Sequence, residues 1–123
     1  MGVGHTISQV DGGGSQFVAF KLTNTGAGGT VTVGSVSPPI ALAADISVVD
    51  SGVGIYTISI ANFKGQQGVC IPMAITLMTG TVTASFAVVS APSYSGETVS
   101  FTIRCYTSST LFDSEVLCQV FAY

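Results

Sequence analysis

The sequence predicts an all-β fold, a single-domain antiparallel β-sandwich of jelly-roll-like organisation with about eight strands. Three observations point there. Charged side chains make up 7% of the 123 residues, against roughly a quarter in an average soluble domain. Polarity comes instead from Thr, Ser, Gly, Asn and Gln, set between Val, Ile, Phe and Ala in the period-two order of strands. Turn signals divide the chain throughout, and no stretch reads as a stable helix: the best, residues 40–44, is too short to stand alone in water.

The elements follow in order. Residues 1–16 are Gly-rich and read as a flexible arm preceding a β-sandwich domain at 17–123. The first strand covers 17–23, and the glycines of 24–29 turn the chain into a second at 30–36. Pro38 and Pro39 end pairing because neither donates a ladder hydrogen bond. A third strand at 45–49 meets the turn Asp50-Ser51-Gly52-Val53-Gly54, which leads into a fourth at 55–61 with Tyr56, Ile58 and Ile60 on one face.

Residues 62–68 form a loop. The strand at 69–78 is mostly apolar, and Pro72 within it calls for a bulge or a sheet edge. Residues 81–88 alternate well, and hydrophobicity alone turns Val82, Ala84, Phe86 and Val88 inward. The strand at 98–106 turns Val99, Phe101, Ile103 and Cys105 inward. The last strand, 115–123, departs from the pattern. Val116, Cys118 and Val120 share one face, yet Leu117, Phe121 and Tyr123 make the other face apolar too. An apolar row on a terminal strand marks contact with a partner unless loops or the N-terminal arm cover it.

Composition also excludes whole classes of function. Lys21, Lys64 and Arg104 are the only basic residues besides His5 and are widely spaced, and the formal charge is −3. They cannot neutralise a phosphate track or hold an anionic membrane surface, so no nucleic acid and no membrane is expected as partner. No apolar run approaches the length of a transmembrane helix. The N-terminus lacks the basic head and apolar region of a secretory signal.

The chemistry of catalysis is sparse. His5, the single histidine, lies in the Gly-rich arm, where no rigid scaffold would hold it in a Ser-His-Asp relay. Asp113 and Glu115 are two apart in one loop, whereas a glycosidase pair must flank a substrate across a cleft. Gly12-Gly13-Gly14 is followed by no Gly-Lys-Ser/Thr and is not a phosphate loop. Asp50-Ser51-Gly52 lacks the alternating oxygens of a calcium loop, and Asp11, Asp45, Asp50 and Asp113 read as turn residues. One His and three unclustered Cys fall short of a transition-metal site. The chain is therefore read as no enzyme, with no cofactor and no metal.

Cys70, Cys105 and Cys118 read as buried thiols, with a Cys105–Cys118 cross-link left open because the two lie in successive strand candidates. Tyr94, Tyr106, Phe112 and Tyr123 offer the alternative of an aromatic platform for stacking sugars, as in a carbohydrate- or receptor-binding β-domain of a fibre or secreted protein.

The segment Val49-Asp50-Ser51-Gly52-Val53-Gly54-Ile55-Tyr56-Thr57-Ile58-Ser59-Ile60 resembles a turn-and-strand pattern recurrent in tailed-bacteriophage virion proteins. The Gly/Thr/Ser/Val/Ala-rich, Lys-poor texture of the whole chain is similar to capsid decoration (cement) and head-fibre domains. This resemblance implies a non-enzymatic virion structural protein, a decoration protein that binds and stabilises the major capsid shell. It also implies a homo-oligomer, a trimer, on the capsid exterior, assembled in the host cytoplasm. The expected partner-binding residues are Val3, His5 and Ile7 of the arm and Leu117, Phe121 and Tyr123 of the last strand.

Overall fold

The computed structural model describes residues 9–10, 15–26, 29–37, 45–63, 68–77 and 85–123. Alternating sequence becomes two antiparallel sheets packed face to face. The strands are β1 (Gln9–Val10), β2 (Ser15–Thr23), β3 (Thr32–Ser37), β4 (Ile46–Gly52), β5 (Ile55–Ile60), β6 (Cys70–Leu77), β7 (Ser85–Val89), β8 (Ser93–Ser95), β9 (Thr98–Thr107), β10 (Thr110–Leu111) and β11 (Glu115–Ala122). The eight long strands are those expected from the alternation, and β1, β8 and β10 are short additions. Residues 38–44, 64–67 and 78–84, with the expected proline stop, the short apolar run and the start of the sixth strand, lie outside the described residues. So do residues 1–8 and 11–14 of the arm. Its remaining part is paired: Gln9 and Val10 lie opposite Gln16 and Ser15 of β2.

Sheet A places β11 between β2 and β6, with β3 and β1 along the far edge of β2. Sheet B places β5 between β4 and β9, and β7 and β8 follow one another along the other side of β9. The β4–β5 turn depends on backbone freedom. Gly54 has φ +67°, and a Cβ there would press on the Phe112 carbonyl oxygen, 2.9 Å from the Phe112 nitrogen and 3.0 Å from the Cys105 carbonyl oxygen. Asp113 completes this corner by accepting the Gly54 N–H at 2.9 Å and the Tyr56 hydroxyl at 3.3 Å.

The core is the meeting of the two inner faces. Val18, Phe20, Leu22, Val116, Cys118, Val120 and Ala122 from sheet A close on Tyr56, Ile58, Ile60, Val99, Phe101, Ile103 and Cys105 from sheet B, and Phe63 joins them from beyond β5. Nearly all are fully buried, and each buried aliphatic or aromatic chain contributes roughly 1.5–3 kcal/mol relative to exposure. All three cysteines are free and buried. Cys105 lies in sheet B and Cys118 in sheet A, so the successive strands that carry them are not neighbours in one ladder.

Two edges decide what the surface offers. Val69 and Tyr123 exchange backbone hydrogen bonds at 2.8 and 3.3 Å. By the alternation of an antiparallel ladder, residues 71, 73 and 75 then bond to β11, and the backbone of Cys70, Pro72, Ala74 and Thr76 faces the free edge of β6. Pro72 thus occupies an edge position where its missing N–H breaks no ladder bond. Across that edge stands β7, and the Thr76 and Ser85 hydroxyls share a hydrogen bond of 2.7 Å between the two sheets.

The phase of β7 differs from the sequence expectation. Ser85, Ala87 and Val89 face inward, opposite Thr107, Cys105 and Ile103, while Phe86 and Val88 face out and are about half exposed. Register with β9, whose Ile103 and Cys105 are anchored in the core, overrides the hydrophobic ranking of β7's own residues.

Candidate protein-binding surface

The outer face of sheet A carries the feature that sets this molecule apart. Its rows are Phe17, Ala19 and Lys21 on β2, Leu117, Gln119 and Phe121 on β11, and Ile71, Met73 and Ile75 on β6. The ladder lines them up: Phe17, Phe121 and Ile71 form one row, and Leu117 stands opposite Ile75. The Phe17 and Phe121 rings lie 4.8 Å apart at 42°. Met73, Ile75 and Leu117 border a shallow groove of about 80 Å³ with Ala74 and Gln119.

The apolar surface does not stop at the sheet edge. A second groove of about 310 Å³ runs between β6 and β7, bordered by Ile75 on one side and Phe86 on the other. Phe86 in turn stacks on Tyr106 at 5.3 Å. Phe86 and Val88 belong to the outer face of sheet B, and on sheet A the β6 row and the β11 row between 117 and 121 include no charged side chain. Charge appears at the rim, where Lys21 and Glu115 pair at 3.3 Å and Arg104 stands opposite Val88.

The residues expected from sequence fall into three groups. Leu117 and Phe121 belong to this surface, each half-buried by its neighbours. Tyr123 lies just beyond β11, exposed, with its backbone tied to Val69. Val3, His5 and Ile7 lie outside the described residues. Sequence reasoning missed Phe17, Ile71, Met73, Ile75, Phe86 and Val88. The signal for β6 was present, since that strand is apolar on both faces. For β7 it was absent, because alternation does not say which face is inner.

The polar end of the sandwich is a different place. Asn24, Thr25, Gly26, Leu77, Phe112, Asp113, Ser114 and Glu115 border a cleft of about 360 Å³. Its carboxylates are engaged: Asp113 holds the Gly54 corner and Glu115 pairs with Lys21. Burial lifts the Tyr56 phenol well above its ordinary value, assisted by the nearby Asp113 and Cys105 and opposed by hydrogen bonds to Ser114 and Thr25. Such a phenol stays protonated and acts as a structural donor. Burial likewise pushes Cys70 and Cys105 up to about 11 and Cys118 to about 12, with Asp113 adding to the effect on Cys105 and Cys70 to that on Cys118. Thiols held in this form are poor nucleophiles. Among the described residues, no three His, Cys, Asp or Glu side chains gather as a metal site would require.

The four aromatics of the sugar-stacking alternative are not brought together. Tyr94 lies opposite Val99 and so on the face of β9 away from Tyr106, which is occupied by Phe86. Phe112 packs on the core, and Tyr123 ends β11 in the other sheet. The chain matches no protein-family model, no curated protein and no solved structure.

Proposed function

We propose that this chain is a non-enzymatic structural protein that works by binding protein through the outer face of sheet A. The observation that carries the reading is the apolar outer face of sheet A, where Phe17 and Phe121 stand beside Ile71, Met73 and Ile75. Apolar patches of this extent on a small domain serve contact with other molecules. Leaving ions out of the contact avoids the desolvation penalty of burying them.

Within that reading the chain is a virion structural protein of the capsid-decoration kind, bound to the major capsid protein on the exterior of the shell. This finer statement rests on the resemblance of residues 49–60 and on the charge-poor composition. No reaction is assigned to the chain.

The test is fractionation of virus particles on a density gradient with quantitative mass spectrometry. The expected result is co-migration of the chain with the major capsid protein at a fixed copy ratio, reduced by Ile75→Asp. Recovery only in the soluble fraction, with the wild-type chain intact, sinks the proposal.

A further inference from the structure

We infer that the outer edge of β7 is a docking site for an extended polypeptide segment of a partner protein, which adds to sheet B as a further strand. The inference goes beyond the outer face of sheet A and does not depend on the binding role proposed for it.

The backbone gives the first argument. Ser90 donates its backbone N–H to the Thr102 carbonyl at 2.9 Å, and its hydroxyl accepts the Thr102 N–H at 2.9 Å. Two and four residues back along the same register, Val88 stands opposite Arg104 and Phe86 opposite Tyr106. By antiparallel alternation these residues bond to β9, and the N–H and C=O groups of Ser85, Ala87 and Val89 point the other way. Among the described residues no strand pairs with β7 on that side. Donors and acceptors repeating at every second residue are matched by the backbone of another extended chain.

The other edges give the second. Sheets guard their edges with prolines, charges, bulges or very short strands. Here β6 carries Pro72. The β4 strand is bulged between Asp50 and Gly52 and bears the charge of Asp50. The pairing of β3 shifts between Ala19 and Lys21, with Ser35 at φ +51°. The edge strands β1, β8 and β10 are short. By contrast β7 reads Ser-Phe-Ala-Val-Val, regular in register, with no proline, glycine or charge. The edge left unguarded is the one open to pairing.

The groove beside β7 gives the third, and it states the chemistry of the occupant. Its 310 Å³ is bordered by Ala74, Ile75 and Thr76 of β6 and by Ser85, Phe86 and Ala87 of β7. On the inner side Ala74, Thr76, Ser85 and Ala87 are small, and the Thr76 and Ser85 hydroxyls close the seam at 2.7 Å. On the outer side Ile75 and Phe86 are each about half exposed. Side chains alternate along a strand, so a segment lying here turns small residues inward and aliphatic ones outward, between Ile75 and Phe86. The partner segment therefore alternates small and aliphatic residues and carries neither proline nor charge.

An NMR titration of the purified full-length chain with a lysine-capped peptide of alternating alanine and valine decides the matter. The expected result is saturable binding with a dissociation constant below about 500 µM. Hydrogen exchange should slow at the Ser85, Ala87 and Val89 amides and stay unchanged at Phe86 and Val88, which already bond to β9. Ala87→Pro removes the central N–H of the free edge without breaking a bond to β9, and should weaken binding at least ~10-fold. If Ala87→Pro does not fold, Phe86→Lys, which puts a charge beside the seat, carries the same expectation. Phe121→Asp on the outer face of sheet A should leave binding within about twofold. No binding up to about 2 mM peptide, shifts confined to the outer face of sheet A, or binding indifferent to the β7 changes overturns the inference. Self-association of the chain without peptide, abolished by the same changes, gives the edge to a second copy and overturns the assignment to a partner protein.

Discussion

The outer faces of the two sheets follow the same alternation and end in opposite chemistry. On sheet B the central rows are hydroxyls that bond across strands: Ser59 with Ser100 at 2.9 Å, and Ser51 with Thr57 at 2.9 Å. On sheet A the matching positions of β11 and β6 are Leu117, Phe121, Ile71, Met73 and Ile75, which have no such partners to satisfy. Both faces cover the same core, so core packing does not require the difference. A face of paired hydroxyls is content in water, and a face of half-exposed aliphatic chains is not. The contrast, drawn between the hydroxyl rows at the centre of sheet B and the apolar rows of sheet A, is what the proposed binding role of sheet A rests on.

That contrast is broken hardest by moving one residue along β11. Val120→Asp puts an unpaired charge in the core and should cost about 4 kcal/mol or more, leaving the chain largely unfolded by circular dichroism. Phe121→Asp, its neighbour on the outer face, should cost less than about 2 kcal/mol, chiefly the ring contact with Phe17, and keep a cooperative urea transition. Equal damage from both would show that the outer row is part of the fold and not a contact surface.

Alkaline pH probes the interior that the two faces share. The thiols are protonated in the fold up to about pH 11 for Cys70 and Cys105 and about 12 for Cys118, against 9.0 for an unperturbed thiol. Their contribution is complete below about pH 9 and lost as the pH rises through these folded values, because the unfolded chain releases the protons first. Thermal stability should hold to about pH 8 and then fall by up to ~1.4 kcal/mol per pH unit for each thiol. Cys118→Ala should make the fall shallower; a melting curve as steep as wild type would remove that thiol from the account.

Smaller effects sharpen the picture on each side. A double-mutant cycle of Ser59→Ala and Ser100→Ala should give a coupling of about 1 kcal/mol for the hydroxyl pair, read by urea denaturation. Zero coupling would make sheet B's outer face merely polar. Lys21→Ala at the rim of sheet A should change stability by less than about 0.5 kcal/mol, since its pairing with Glu115 is solvent-exposed and screened. A loss above 1 kcal/mol would assign the rim a structural role.

Much of the fold was legible in the residues themselves. Tyr56, Ile58 and Ile60 share the inner face of β5 as their spacing requires, and Val99, Phe101, Ile103 and Cys105 do so on β9. Pro72 marked an edge because a proline cannot donate to a central ladder. Part of the candidate surface was also visible, in the doubly apolar last strand with Leu117 and Phe121. The rest was not. Phe86 and Val88 were placed inward by hydrophobicity and stand outward, and Cys105 and Cys118 belong to facing sheets, not to paired strands.

By itself the sequence determined the eight long strands and the period-two separation of each into two faces, because these depend on local backbone and side-chain preferences; the short β1, β8 and β10 were not in its reading. Only the tertiary structure decided which face of β7 is inner, which strands stand side by side, and that the outer rows of β2, β11 and β6 form one face. Those are properties of register and sheet order. A shift of one residue in pairing exchanges every inside position for an outside one, and nothing in a strand's own alternation distinguishes the two.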